Sequence, residues 1–180
     1  GSISEVSLRQ VRHAKNHGYF CYVLNSHQKL TQDYHITEDG KKFIDEVADK
    51  IEAGRDVIIT VAESFEDRIE YINPSDGVGR SGDIKQQKNV SLLIAPNIAG
   101  IVKGIADKTN LDTLTIIGGD TAVEIAESMA LSSITPRCEI YTGVVLSDAV
   151  RQGKRISLIT KSGGFGAEDI LVKIKNRIMF

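Results

Sequence analysis

Two glycine-rich turns, each directly after an apolar run, constrain this chain more than any other feature. The first run, Leu114–Ile117, leads into Gly118–Thr121 (Gly-Gly-Asp-Thr), and the second, Ile156–Thr160, leads into Lys161–Gly166 (Lys-Ser-Gly-Gly-Phe-Gly). Each pattern predicts a buried strand, a tight turn and the start of a helix. Because a helix N-terminus carries unpaired backbone N–H groups, such a turn attracts phosphate. Two of these turns in one small domain indicate a nucleotide site.

Apolar runs and amphipathic segments alternate along the chain. Short apolar runs predict strands at residues 19–24, 56–61, 113–117, 137–141 and 155–160. Helices are expected at 4–18, from Thr37 or Asp39 to 54, after residue 82 with an interruption near Pro96, after the turn at 118–121, and at 167–177. This order predicts an α/β fold with three α/β/α layers around a mainly parallel sheet. Both glycine turns then fall at the carboxyl ends of strands, where such sheets bind ligands.

The composition fits one domain spanning residues 1–180. With 41% hydrophobic residues and a net charge of −2, the chain has material for a core but no general basic surface, so no nucleic-acid partner is expected. No apolar run reaches the length of a membrane span. The two cysteines make a disulfide framework improbable and fit a reducing cytoplasm.

The first turn can serve a ligand or only the fold. Without a Cβ at Gly118 or Gly119, a phosphate can approach the backbone closely, and Asp120 can bind Mg²⁺ directly or through water. The alternative is a plain strand-to-helix connection in which Asp120 or Thr121 caps the helix.

The second turn is the more specific signal. Ser162 and the glycine amides can hold phosphate or ribose oxygens, and Lys161 can supply positive charge. Phe165 either stacks on a base or packs in the core, and Glu168 and Asp169 favour the positive end of the last helix.

Two other patterns carry less meaning. Residues 77–82 match Gly-x-Gly-x-x-Gly, but no strand ends before them, so a loop is expected there within a long surface loop at 63–82. A nicotinamide-dependent oxidoreductase would rest on that match alone. His13 and His17 are four residues apart on the first helix, yet no third ligand is evident, so solvated side chains are expected.

Three segments resemble the C-terminal, nucleotide-binding domain of the four-carbon acid sugar kinases, the family of threonate, erythronate and 3-oxo-tetronate kinases. Gly1–Ser4 followed by Gln10 is similar to the family's Gly-Ser-x-Ser opening. Gly118–Thr121 resembles its Gly-Gly-(Asp/Glu)-Thr turn. Lys161–Gly166 followed by Asp169 resembles its Lys-Ser-Gly-x-Phe-Gly-x-x-Asp ending.

This resemblance implies an ATP-dependent kinase, a transferase of carbohydrate metabolism that moves the γ-phosphoryl group to a hydroxyl of a four-carbon sugar acid. Asp120 would contact Mg²⁺ and be the catalytic residue of this domain. The implied ATP or ADP contacts are Ser2, Ser4, Gly118, Gly119, Asp120, Thr121, Gly143, Ser162, Gly163, Gly164, Phe165 and Gly166.

The resemblance also implies a missing part. Family members are about twice as long, and their N-terminal domain binds the sugar acid, so this chain resembles an excised C-terminal domain with little turnover of its own. It departs from the family where Thr142-Gly143-Val144-Val145 replaces a Pro-Gly-x-Pro segment. The alternative function is therefore a non-catalytic module of the same fold that binds a nucleotide or another ligand or serves in assembly, for example as a homodimer.

Overall fold

The structure, a computed structural model, describes residues 4–63 and 83–178, with the backbone alone for residues 83–92. Its helices are α1 (Glu5–Asn16), α2 (Ser26–Leu30), α3 (Glu38–Glu52), α4 (Asp83–Lys108), α5 (Gly119–Ser128) and α6 (Ile170–Ile178). Its strands are β1 (Phe20–Val23), β2 (Val57–Thr60), β3 (Thr113–Ile117), β4 (Ser132–Tyr141), β5 (Val144–Arg151) and β6 (Lys154–Lys161). A short 3₁₀ helix covers Tyr34–Ile36.

Side-chain caps fix where the first long helices begin. Ser4 Oγ accepts a hydrogen bond from the Ser7 amide at 3.1 Å and starts α1, as the sequence predicts. Thr37 Oγ1 accepts from the Gly40 amide at 3.0 Å and starts α3, which decides between the two predicted caps in favour of Thr37.

The strands form two sheets. β1 and β2 make a parallel pair, and the second sheet has the order β3-β6-β5-β4. β3 pairs with β6 in parallel, whereas β6, β5 and β4 run antiparallel through tight turns. The α/β class is confirmed. The sequence analysis missed β5 (Val144–Arg151), because it predicted no strand between residues 141 and 155.

Buried apolar side chains form two clusters, one on each face of the four-stranded sheet. Helices α1 and α6 contribute Val11, Ala14 and Leu171 to a cluster that includes Ile159. Helices α3, α4 and α5 form the opposite layer, with Val47, Ile101, Ile125 and the strand residues Ile116 and Leu158. Burying one such side chain contributes about 1.5–3 kcal/mol. The three-layer arrangement is thus confirmed.

Helix α4 runs unbroken through Pro96, so the expected interruption there is wrong. A proline inside a helix removes one hydrogen bond and costs about 3 kcal/mol. Packing after the proline offsets that cost, since Ile98 and Ile101 are buried in the core. The Asn97 amide also donates to the carbonyls of Lys29 and Thr31, at 2.8 Å each.

Several expectations lie outside the described residues. These are Ser2, the surface loop apart from its first residue, and the Gly-x-Gly-x-x-Gly match at 77–82. None of the helices in the described part of the chain combines the length and apolar character needed to cross a membrane. Cys21 and Cys138 are both free.

Candidate functional site

The two glycine turns lie side by side, because β3 and β6 are parallel neighbours. Their last residues, Ile117 and Lys161, are register partners. The Gly118 amide then donates to the Lys161 carbonyl at 3.0 Å, so a backbone hydrogen bond connects the two turns. Gly118 has φ +105°, a backbone conformation that side chains rarely allow, so a glycine is required for this turn. The predicted position at the carboxyl ends of the strands is therefore observed.

Helix α5 begins with an open N-terminus. Gly118 is its N-cap and provides no side-chain bond, so neither Asp120 nor Thr121 acts as the cap. The first bond into the helix runs from the Ala122 amide to the Gly118 carbonyl at 3.1 Å. The preceding amides, those of Gly119, Asp120 and Thr121, have no acceptor inside the helix and carry the positive end of its dipole. Asp120 is exposed beside them, whereas Thr121 is buried.

A cavity of about 310 Å³ opens between the two turns. Four predicted ligand-binding residues line it: Gly118, Gly119, Gly143 and Ser162. The remaining lining residues are Ala122, Val145, Thr160 and Lys161. Three of its eight lining residues are glycines, and a glycine leaves the backbone accessible to a phosphate.

Gly143 brings a third segment to the cavity. Its carbonyl accepts from the Ser162 amide at 2.9 Å, and its own amide donates to Glu139 Oε1 at 2.8 Å. The φ of Gly143 is +72°, and the ring of Phe165 lies directly against it. The turn between β4 and β5 is thereby fixed to the Ser162–Gly166 loop, and Glu139 is a positioning residue that the sequence analysis missed.

Side chains of helix α1 form hydrogen bonds to the backbone of the second glycine turn. The hydroxyls of Ser4 and Ser7 donate to the Gly163 carbonyl, at 2.6 and 2.8 Å. Ser4 is thus placed at the turn, while its hydroxyl also caps α1. Ser7 was missed, although serines three residues apart on an otherwise apolar helix face are a readable signal of polar contacts.

Gln10 extends this support along the turn. Its side-chain amide lies 3.0, 2.8 and 3.0 Å from the carbonyls of Phe165, Gly166 and Ala167. Gln10 is fully buried, so these bonds form away from water, where an unmade bond is costly. They define the path of the backbone through the turn.

The outer part of the turn faces solvent. Gly164 is exposed, and a Cβ placed there would meet nothing within 4 Å. Phe165 remains 49% exposed, so core packing covers only part of its ring. Gly166 has φ +91° and is crowded by Ile170 and the Gln10 amide. The cavity lining does not include Gly163, Gly164, Phe165 and Gly166, which follow Ser162 in the chain.

Asp169, the last residue of the second motif, has a structural partner. Its carboxylate forms an ion pair with Lys173 at 2.9 Å, one turn further along the chain. This hydrogen bond lowers the pKa of Asp169 below its ordinary value. The pair supports the start of α6, where Asp169 is partly buried and its Oδ1 has no hydrogen-bond partner among the described residues.

A larger cavity of about 520 Å³ lies between β2 and β3. Its walls are mostly apolar, with residues such as Ile58, Ile98 and Leu114, and Thr121 lines it as well. Because it offers no set of backbone amides and no glycines, it does not have the features of a phosphate site.

The described residues contain no cluster of three or more His, Cys, Asp or Glu side chains that could hold a metal ion. The rings of His13 and His17 stack on one another at 4.0 Å, and the His17 ring is bonded to the His13 carbonyl at 2.7 Å. Any metal at the glycine turns would need ligands from a bound molecule in addition to Asp120.

Comparison with protein families gives a match over almost the whole chain. The family model described as "Nucleotide-binding C-terminal domain" matches residues 1–171. No curated protein matches the sequence.

Comparison with solved structures finds several related folds. A Salmonella typhimurium LT2 protein described as a candidate tRNA synthase superposes with a TM-score of 0.75 at 14% identity, over 98% of this chain and 39% of that one. A Haemophilus influenzae protein of the DUF1537 family gives 0.66 at 18% identity, over 98% and 38%. A Bordetella bronchiseptica DUF1537 protein, a domain-swapped dimer with bound citrate, gives 0.62 at 16% identity, over 96% and 36%.

These likenesses show the fold, since all three identities are low. The chain spans less than two fifths of the length of each of these structures.

Proposed function

The chain belongs to the family of nucleotide-binding C-terminal domains, and we propose that it is the ATP-binding domain of a kinase that phosphorylates a four-carbon sugar acid of the threonate, erythronate or 3-oxo-tetronate type. The observation that carries the proposal is the cavity of about 310 Å³ between the two glycine turns. Two of the three motifs that resemble the sugar-acid kinases contribute lining residues to it: Gly118 and Gly119 from one, and Lys161 and Ser162 from the other.

The nucleotide phosphates are assigned to the glycine backbone. The open amides at the start of α5 can donate to phosphate oxygens, and Gly118, Gly119, Gly163 and Gly164 leave the backbone accessible. Ser162 is exposed at the cavity and has a hydroxyl for a phosphate or ribose oxygen. ATP, when bound there, supplies the γ-phosphoryl group.

Mg²⁺ is assigned to Asp120. Magnesium in phosphoryl-transfer sites is held by one or two carboxylates together with phosphate oxygens and water, so a single exposed aspartate beside the phosphates is sufficient on the protein side. Asp120 stands in the first turn of α5, next to the open amides.

The base of the nucleotide is assigned to Phe165. Its ring is half-exposed and held in place by Gly143 on one side, so a flat surface remains for stacking. Ser2, Ser4, Thr121 and Gly166 complete the proposed set, with Ser4 and Gly166 acting through the position of the turn.

The sugar acid is assigned to a domain outside this chain. The related structures are more than twice as long as the part that this chain matches. The group that activates the hydroxyl is expected in that other domain, so the chain alone is expected to bind Mg-ATP with little turnover. The citrate in the Bordetella structure, a small hydroxy acid, supports an acid ligand for a protein of this fold. We place the kinase in the cytoplasm.

A second candidate is a non-catalytic ligand-binding or assembly module. It is favoured by Thr142 and Val145, which stand where the sugar-acid kinases have prolines, and by the domain-swapped dimers of the Bordetella protein. This candidate predicts a homodimer whose ligand is not ATP.

Isothermal titration with ADP and ATP, with and without Mg²⁺, separates the two. The kinase domain is expected to bind both nucleotides, with ATP strengthened by Mg²⁺. A folded sample that binds neither nucleotide would remove the kinase proposal and favour the assembly module, whose dimer is then measured by analytical ultracentrifugation.

A further inference from the structure

Glu139 presents a carboxylate on the cavity side of the four-stranded sheet. In the antiparallel register Glu139 pairs with Val145, and Val145 pairs with Thr160 on β6. Register partners carry their side chains on the same face of a sheet, and both Val145 and Thr160 line the cavity between the glycine turns. The next residue, Ile140, is buried in the cluster on the opposite face. The Glu139 side chain therefore lies on the face that bears the cavity.

The Glu139 carboxylate is held in place but retains capacity to accept further hydrogen bonds. Its Oε1 accepts from the amide of Gly143 at 2.8 Å, and Gly143 is itself a lining residue of the cavity. None of the ion pairs in the described part of the chain involves Glu139, and its side chain is exposed. An ionised carboxylate only accepts, on both oxygens, so Glu139 favours a ligand group that carries an O–H or N–H donor.

Lys161 does not neutralise this carboxylate. Its register partners, Ile117 and Val144, belong to the cluster on the α1 and α6 side, so the Lys161 side chain lies on that side as well. It is only 2% exposed, and its Nζ donates to the Ser162 carbonyl at 2.8 Å.

The two ends of the cavity consequently differ in charge. The open amides at the start of α5, directly after β3, carry the positive end of the helix dipole. In the strand order β3-β6-β5-β4, Glu139 stands on the opposite edge strand, three strand spacings or about 14 Å away. Phosphate oxygens are attracted to the α5 end and repelled by the Glu139 carboxylate. The uncharged, hydroxyl-bearing part of a nucleotide therefore fits the Glu139 end.

Gly143 places this end beside the surface assigned to the base. The ring of Phe165 lies against Gly143, while the amide of Gly143 is bonded to Glu139. A nucleotide with its base on Phe165 and its phosphates at α5 has its ribose between the two, next to Gly143. Ribose has two hydroxyl groups that donate hydrogen bonds, which is the chemistry that a carboxylate recognises.

We propose that Glu139 binds the ribose of the nucleotide, with its carboxylate accepting hydrogen bonds from the 2′- and 3′-hydroxyl groups. The proposal rests on the proposed function, and it adds to it the residue that selects ribonucleotides over deoxyribonucleotides. A hydrogen bond to a charged acceptor is stronger than one between neutral groups, so a missing hydroxyl weakens binding measurably.

The test compares Mg-ADP with the Mg complexes of 2′-deoxy-ADP and 3′-deoxy-ADP by calorimetric titration of this chain. The unaltered protein is expected to bind ADP about tenfold more tightly than at least one of the two deoxynucleotides. In Glu139→Gln this preference is expected to fall to about twofold or less, because the amide still accepts from Gly143 but offers the ribose an NH₂ group in place of a carboxylate oxygen. Glu127→Gln, an exposed position further along α5, removes the same charge elsewhere and should keep the preference.

The preference for ADP, rather than its affinity, decides the outcome. If Glu139 only fixes the turn at Gly143, Glu139→Gln weakens all three nucleotides by the same factor, and an unchanged preference would overturn the proposal. Equal binding of the three nucleotides by the unaltered chain would also overturn it and leave the nucleotide site standing. Absence of ADP binding by the folded, unaltered chain would overturn both. Glu139→Asp, which retracts the carboxylate by one methylene, provides a second measurement if Glu139→Gln fails to fold, and a reduced preference is expected there as well.

Discussion

The ring of Phe165 packs against Gly143 so closely that a Cβ atom at position 143 would lie 2.8 Å from the ring. Gly143 also has φ +72°, where a residue with a side chain is strained. Steric contact and backbone strain thus act at the same residue. Together they explain why position 143 is a glycine, although Thr142 and Val145 differ from the prolines of the sugar-acid kinases that this chain resembles.

Gly143→Ala is expected to lower the free energy of unfolding by about 2–3 kcal/mol, with about 1–2 kcal/mol from backbone strain and the rest from displacement of Phe165. Gly153→Ala is the matched control, because Gly153 has φ +80° but open space around its α-carbon. Only Gly143→Ala should also weaken ADP binding. Urea unfolding and calorimetry measure both effects, and equal losses in the two variants would contradict the importance of the Phe165 contact.

Gln10→Met is expected to loosen the second glycine turn. It preserves the volume of a fully buried side chain but removes the donor shared by the carbonyls of Phe165, Gly166 and Ala167. We expect a loss of about 2 kcal/mol in stability and faster hydrogen exchange in residues 163–167. Arg9→Met, an exposed neighbour on the same helix, is the control. Unchanged exchange in the turn would show that the Gln10 bonds do not hold it.

The sequence predicted the parts of the fold whose signals are local. The apolar runs predicted β3 with its observed bounds and β6 to within one residue at each end. The parallel pairing of these two strands, which the sequence analysis did not predict, brings Gly118 and Lys161 together. The strand β5 was missed because its start, Val144, follows a Thr-Gly pair that is typical of a loop. Val144–Arg151 becomes a strand because it pairs with β4 and β6. This pairing depends on the tertiary structure and cannot be read from the strand propensities of the residues.

The site was predictable as a place but not as a set of contacts. The glycine spacing located the cavity between residues 118–119 and 162. It did not indicate that Ser7 and Glu139 hold the surrounding turns. Ser7 donates to the Gly163 carbonyl, which lies 156 residues away in the chain. Glu139 accepts from the nearby Gly143 amide across the turn between β4 and β5, and the sequence analysis missed β5. The burial of Lys161 was equally hidden, since a lysine at the end of a strand is usually solvated.

Gly164→Val is expected to block nucleotide binding while the fold is retained. Gly164 is exposed, and a Cβ at this position meets nothing within 4 Å, so the free protein has room for the side chain. In the variant, the valine side chain fills the space that a bound phosphate at the turn needs. The dissociation constant for ADP should therefore rise at least tenfold. Thermal unfolding should change little. An unchanged affinity would move the phosphates away from this turn.

Asp120→Asn is expected to weaken the Mg²⁺ dependence of ATP binding without changing affinity for ATP in the absence of metal. An amide retains the size of the side chain but loses the charge that favours magnesium. Glu127→Gln, an exposed residue further along α5, is the control for a general change in charge. Calorimetric titrations give the ratio of the ATP dissociation constants without and with Mg²⁺. The same ratio in the unaltered protein, Asp120→Asn and Glu127→Gln would remove Asp120 as a magnesium ligand.

Lys161→Met is expected to stabilise the ligand-free protein at pH 7. Burial lowers the pKa of Lys161 from 10.5 to about 8, so keeping it charged in the folded state costs about 3 kcal/mol. Loss of the bond to the Ser162 carbonyl offsets about 1 kcal/mol, which leaves a gain of about 2 kcal/mol.

The sign of this effect fixes its pH dependence. Between pH 8 and 10.5 the folded protein binds fewer protons than the unfolded chain, so the unaltered protein gains stability as pH rises and the advantage of the variant disappears. Urea unfolding at pH 7, 9 and 10 measures the difference in unfolding free energy between Lys161→Met and the unaltered protein. Lys154→Met is the exposed control. A variant less stable than the unaltered protein at pH 7 would mean that the buried ammonium is compensated in the ligand-free protein.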